Sequence, residues 1–111
     1  MLFLMKMSDR SRRVGGTIEQ ILPEILRTQT DPDTHGFVTI TAVEMSGDLA
    51  LVDVFVRSLG GPASYLKELQ KREKKIAHLL LQKLELRRGF ILRFKPDKSV
   101  KAVEDLKKLG L

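Results

Sequence analysis

The stretch DPDTHGFVTITAVEMSGDLALVDVFVRSL, residues 31–59, decides the fold of this 111-residue chain. It opens on Asp31-Pro32, and the proline ring biases the residue before it away from the helical region, so an element boundary falls there. Two runs dense in β-formers follow, residues 37–45 and 50–57, divided by Ser46-Gly47-Asp48. In the first, Val38, Ile40 and Ala42 alternate with Thr39 and Thr41. In the second, Val52, Val54 and Val56 share one face and Leu51, Asp53, Phe55 and Arg57 the other. Two such runs joined by a short glycine-containing turn form an antiparallel hairpin. A lone hairpin is marginal in water, so helices must cover one of its faces.

The flanking sequence supplies them. Ser8 or Ser11 can cap a helix running to about Thr28, with Val14, Ile18, Ile21, Leu22, Ile25 and Leu26 as its apolar stripe. Pro23 lies inside that helix, where it removes a hydrogen bond and is expected to kink it. Arg10, Arg12 and Arg13 crowd the N-terminal end, the unfavourable end of the helix dipole for cations. That placement suits a partner better than it suits the fold. Gly60-Gly61-Pro62 makes a turn, and helical periodicity resumes from Ala63 to about Leu86. It lapses at Gln70-Lys71-Arg72-Glu73-Lys74-Lys75, which reads either as a solvated helix face or as a join between two helices. Residues 86–94 return to β character, with Phe90, Leu92 and Phe94 inward and Ile91, Arg93 and Lys95 outward. Val100, Val103, Leu106 and Leu109 suggest a short C-terminal helix. The expected fold is α+β, a three-stranded sheet with helices on one face.

The chain carries 20 Lys and Arg against 14 Asp and Glu, a net +6, and the distribution is more telling than the sum. Residues 31–56 hold five carboxylates and no Lys or Arg; the remainder sets 20 cations against 9 carboxylates, a net +11. A strongly basic region beside an acidic one suits a polyanion on the basic side. No cysteine is present, which excludes disulfides, thiolate nucleophiles and zinc ribbons and fits a reducing cytoplasm. The apolar start, Met1 to Met7, is too short for a signal peptide or a membrane span and reads as an ordinary N-terminal extension.

No catalytic constellation is visible. His35 is expected as a solvated loop imidazole and His78 as a helix-surface side chain. Asp31 and Asp33 are expected to cap a turn, not to bind a cation. No Walker loop, nucleophile elbow, paired-histidine or dinucleotide motif occurs. The aromatics do not form a base-stacking array, and Tyr65 reads as a helix-packing residue. No catalytic residue, metal site or cofactor is expected, and a phosphate-ester enzyme is the weakest of three readings.

The chain resembles the ribosome-binding factor A family, over nearly all of residues 8–99. The resemblance rests on an ordered set: Arg10-Ser11-Arg12-Arg13-Val14; Asp31-Pro32; Val38-Thr39-Ile40-Thr41 with Val43-Glu44-Met45-Ser46 and Asp48-Leu49; Val54-Phe55-Val56; Leu84-Glu85-Leu86-Arg87; and Phe94, Asp97 and Ser99. It implies a type II KH-like fold, ordered αββααβ, with an N-terminal extension (1–7), an RNA-binding domain (8–99) and a C-terminal helix or tail (100–111). It further implies a non-catalytic factor that binds small-subunit (16S) ribosomal RNA and the free or immature 30S subunit, and assists RNA processing and subunit maturation. A cytoplasmic monomer away from membranes is expected. The alternative is a basic protein-interaction module docking on an acidic partner. In the family an Ala-x-Gly kink separates the second and third helices; here Arg72-Glu73-Lys74 stands in its place. These residues favour helix and lack glycine's freedom, so continuous or less sharply kinked helices are expected there. The cations expected to meet RNA are Arg10, Arg12, Arg13, Lys71, Arg72, Lys74, Lys75, Arg87, Arg88, Arg93, Lys95 and Lys98.

Overall fold

A computed structural model describes residues 6–99. Helix α1 (Asp9–Gln29) is followed by a one-turn helix α2 (Pro32–His35), strands β1 (Phe37–Met45) and β2 (Leu51–Leu59), helices α3 (Tyr65–Gln70) and α4 (Glu73–Leu84), and strand β3 (Ile91–Pro96). Apart from the single turn of α2, this is the αββααβ order of the type II KH-like fold. The C-terminal helix expected over 100–111 and most of the N-terminal extension lie outside the described residues.

The start of α1 is fixed by a reciprocal pair. Ser8 Oγ accepts from the Ser11 N–H (3.1 Å), and the Ser8 N–H donates to Ser11 Oγ (2.7 Å). Both serines therefore act, one as the cap and one as the third helical residue. The helix runs without interruption through Pro23. At its other end Asp31 caps α2 by accepting from the Asp33 N–H at 2.9 Å, with Pro32 in the first turn.

The sheet order is β1-β2-β3. The hairpin pairs antiparallel, Met45 opposite Val52 and Phe37 opposite Leu59, with a bulge between Ile40 and Ala42. Strand β3 lies parallel to β2, Leu92 beside Val52 and Phe94 beside Val54. One sheet face carries Val52, Val54, Val56, Leu92 and Phe94 into a core shared with Ile18 and Leu22 of α1, Leu69 of α3, and Ile76 and Leu80 of α4. At about 25 cal/mol per Å² of apolar area removed from water, this shared core is the main term holding the sheet to its helices.

Three local readings are corrected. The helices are neither continuous nor joined by a glycine-like residue: α3 ends at Gln70 and α4 begins at Glu73. The break uses only negative φ, with Lys71 at −63° and Arg72 at −101°. It is anchored on strand β3, where Glu73 Oε2 accepts from the Phe94 N–H (2.7 Å) and Gln70 Nε2 donates to the Phe94 carbonyl (3.1 Å). Side-chain hydrogen bonds to an edge strand thus do what a glycine does elsewhere. The last strand starts later than the periodicity suggests, at Ile91, which leaves Phe90 half-buried against the core from a loop. His35 is not a solvated imidazole. It is 2% exposed, its Nδ1 accepts from the Asp31 N–H at 3.0 Å, and its Nε2 is buried without a partner among the described residues. Composition could not reveal this, because burial of His35 follows from α2 turning back beneath the Gly60-Gly61 turn, where Ser58 Oγ donates to the His35 carbonyl.

Candidate nucleic-acid interface

The twelve cations fall into three groups that the fold treats differently. Arg10 from the first turn of α1 meets Arg87 and Arg88 from the α4–β3 loop around one groove of about 520 Å³, closed by Asp48, Leu49 and Ala50 of the hairpin turn. Residues from both ends of the sequence converge here because the N-terminus of α1 and the C-terminus of α4 lie at the same end of the sheet as the hairpin turn. The Gly47 N–H donates to the Lys6 carbonyl (2.8 Å) and Ser8 Oγ to the Gly47 carbonyl (3.3 Å), tying the turn to the start of α1. Arg12 and Arg13 are exposed on the same helix end.

Two residues of this groove hold unusual backbone. Leu49 (φ 62°) and Glu85 (φ 54°) are the two non-glycine residues with positive φ among the described residues, and both line it. The left-handed region costs an L-residue roughly 1–2 kcal/mol. Leu49 is held there by a turn in which its N–H donates to the Ser46 carbonyl (2.9 Å) while Asp48 Oδ1 accepts from Ser46 Oγ (2.7 Å) and the Ala50 N–H (3.1 Å). The hydrogen bond from Ser46 and that from the Ala50 amide hold the Asp48 carboxyl below its usual range. Glu85 ends α4 in the position that glycine usually takes. Strain of this kind gathers where geometry is wanted for a purpose.

The second group sits at the other end of α4, about 18 Å away at 1.5 Å per residue over its 12 residues. Arg72, Lys74 and Lys75 are exposed, and no carboxylate lies within 4.0 Å of them among the described residues. Lys71 is paired with Glu68 at 2.9 Å. The N-terminus of α4 has no side-chain cap, so its first amides and the neighbouring cations together favour an anion. Lys74, His78 and Gln82 follow at helical spacing along one exposed line of α4, with Glu85 three residues further on at the groove. His78 is a surface residue within 3.3 Å of Gln82, as a helix-surface reading expects. Gln82 escaped the sequence reading; the i, i+4, i+8 spacing from Lys74 was its only signal.

The third group is committed elsewhere. Asp53 lies on the sheet face away from the helices yet is only 3% exposed. Arg93 grips it through Nε to Oδ1 (2.7 Å) and Nη2 to Oδ2 (3.0 Å), and Lys95 Nζ adds a bond to Oδ2 at 2.9 Å. Burial alone raises the Asp53 pKa; the hydrogen bonds and charges of Arg93 and Lys95 overcome it, and the net direction is down. Lys98 pairs with Glu44 and lies 4.7 Å from the Phe55 ring centroid. Tyr65 packs against the core, and burial followed by the Asp97 charge raises its hydroxyl. No group of three His, Asp or Glu side chains able to hold a metal occurs among the described residues, nor is any described helix long and apolar enough to cross a membrane.

Comparison with known proteins adds the family. Residues 10–110 match the family described as ribosome-binding factor A. The ribosome-binding factor A of Macrococcus caseolyticus is 37% identical over 97 residues, covering 85% of each chain. The solution structure of a Thermotoga maritima protein superposes with a TM-score of 0.65 at 29% identity, over 86% of this chain and 93% of its own. A Thermus thermophilus ribosome-binding factor A model, fitted into a cryo-electron-microscopy map of a 30S complex, shares the fold with a TM-score of 0.68 at 24% identity, over 78% of this chain and 93% of its own. The sequence match runs from the first turn of α1 through β3, and the solved folds agree with it: this chain belongs to the ribosome-binding factor A family.

Proposed function

We propose that this chain is a non-catalytic assembly factor that binds ribosomal RNA of the small (30S) subunit, through residues 8–99, and assists 16S RNA processing and subunit maturation in the cytoplasm. It acts as a monomer. The observation that carries this reading is the groove that gathers Arg10, Arg87 and Arg88 between the first turn of α1 and the α4–β3 loop. Three guanidiniums around one concave surface offer bidentate donors to phosphate oxygens. Arg72, Lys74 and Lys75 at the far end of α4 provide a second anchor for the same strand. The Thermus relative fitted into a 30S complex supports the choice of partner. Arg93, Lys95 and Lys98 contribute to the field of the basic surface while their head groups remain bonded to Asp53 and Glu44.

The test is co-sedimentation with immature and mature small subunits across a salt series. Two variants are compared with wild type: Arg10→Glu/Arg87→Glu/Arg88→Glu and Arg72→Glu/Lys74→Glu/Lys75→Glu. Affinity should fall with salt by roughly 0.7 in log K per log salt for each single-stranded phosphate neutralised, and each variant should flatten that slope by roughly two. Salt-independent binding, or binding unchanged in both variants, refutes the reading.

A further inference from the structure

The two edges of the sheet are treated oppositely. Along β3 the outward backbone is blocked: the Phe94 N–H and carbonyl are taken by Glu73 and Gln70, and Pro96 has no N–H to offer. Along β1 no such cover exists among the described residues; β1 is the outer strand, and no backbone hydrogen bond reaches its free side. Beside that open edge runs a groove of about 570 Å³ between α1 and the first four residues of β1, floored by Pro23, Leu26, Val38 and Ile40. Phe37 at its mouth is 66% exposed, and its cross-strand neighbour Leu59 is 76% exposed.

The rim is acidic. Residues 19–36 hold Glu19, Glu24, Asp31 and Asp33 against a single cation, Arg27, which is already 3.7 Å from Glu24. Pro23 adds an acceptor. Lacking an N–H, it leaves the main-chain carbonyl of Glu19, four residues earlier, without its helical donor, and both residues line the groove. The unpaired strand edge and the carboxylates of Glu19, Asp31 and Asp33 all favour donors and positive charge. Such a surface repels nucleic acid.

We propose that the β1 edge and the α1–β1 groove form a second binding site, which takes a basic, extended protein segment by strand addition. Main-chain bonds to residues 37–40, roughly 13 Å of strand before the bulge, supply the register. Alternate apolar side chains of the segment enter the groove over Leu26 and Ile40. Its lysines or arginines reach Glu19, Asp31 and Asp33. The basic side of the molecule and this side then engage different partners at once.

The test is a titration of ¹⁵N-labelled protein with a capped peptide of alternating lysine and valine, against a control of alternating glutamate and valine. The lysine peptide should shift the amides of 37–40 and slow their hydrogen exchange. Its affinity should fall by about fivefold to thirtyfold in the Glu19→Gln/Asp31→Asn/Asp33→Asn variant, as three weak rim charges are lost. Asparagine at 31 retains the cap, and a urea titration confirms that the variant is folded. Small-subunit RNA binding by that variant should be unchanged, so this site stands or falls apart from the RNA surface. Absence of lysine-peptide binding, equal binding of the glutamate peptide, or shifts without protection at 37–40 each overturn the proposal. Concentration-dependent protection of 37–40 in the free protein overturns it too, assigning the edge to a second copy of the chain.

Discussion

Replacing Asp53 with asparagine isolates the ion network on the helix-free face. The carboxylate is 5% exposed at its side chain and accepts three charge-assisted bonds of 2.7, 2.9 and 3.0 Å. Removing one partner of a fully buried pair costs about 3–5 kcal/mol. Here Arg93 and Lys95 are 43% and 40% exposed, so both can turn to water, and asparagine keeps one acceptor oxygen. The expected loss is therefore smaller, about 2 kcal/mol at pH 7, or roughly 8–16 °C in Tm for a domain of this size. The pH dependence carries a definite sign. Because the folded pKa of Asp53 lies below its unfolded value, its contribution is full above the unfolded pKa and disappears as pH falls through the folded one. Urea unfolding of wild type and Asp53→Asn should differ at pH 7 and converge in acid, below pH ~4. A gap under about 0.5 kcal/mol at pH 7, or one that persists unchanged into acid, would falsify the account of this network.

The remaining predictions concern backbone and core. Glu85→Gly should raise stability by about 1 kcal/mol, because an exposed residue at φ 54° is exchanged for one that adopts it freely; a lower urea midpoint would show that the glutamate side chain holds the groove. Gly61→Ala should destabilise by about 2 kcal/mol or more, since the new Cβ would lie 2.7 Å from the His35 carbonyl and 2.8 Å from the Gly36 nitrogen; a midpoint within error of wild type refutes that packing. Leu80→Ala, at a position with no exposed surface, should cost about 2–5 kcal/mol, read from the same titration without change in m.

Much of the fold was legible because period-2 and period-3.6 patterns separate cleanly in this chain. Val52, Val54 and Val56 alternate into the core as their spacing says, and Ile18, Leu22, Ile25 and Leu26 of α1 are buried as theirs says. What escaped depended on contacts distant in sequence. The break between α3 and α4 consists of two helix-favouring residues, Lys71 and Arg72, and it is anchored where Gln70 and Glu73 bond to Phe94, more than twenty residues away. Arg93 and Lys95 read as free cations until β3 is set beside β2, where Asp53 falls opposite Arg93. His35 looked solvated because nothing in its own segment reveals that the Gly60-Gly61 turn closes over it. The convergence of Arg10 with Arg87 and Arg88 is likewise invisible in the sequence, where more than seventy residues separate them.

The placement of cations also separates two jobs that composition merges. A net +6 could be spread evenly to keep a small domain soluble. Instead the half-exposed cations of β3 are spent neutralising Asp53, while the end groove and the start of α4 hold arginines and lysines with no carboxylate within 4.0 Å among the described residues. Asp48 and Glu85 line the groove without forming an ion pair with its arginines. Under the proposed function, Arg10, Arg87 and Arg88 would have no internal ion pair of the kind that binds Arg93 to break, and the groove's shape is fixed beforehand by the strained Leu49 turn and the left-handed end of α4. To meet a phosphate oxygen directly, Arg93 would have to break two charge-assisted bonds to Asp53 and Lys95 one, each such bond worth roughly 1.5–3 kcal/mol. On these terms the proposed RNA surface is assigned to the two ends of α4, and the face bearing Arg93 and Lys95 serves the stability of the sheet.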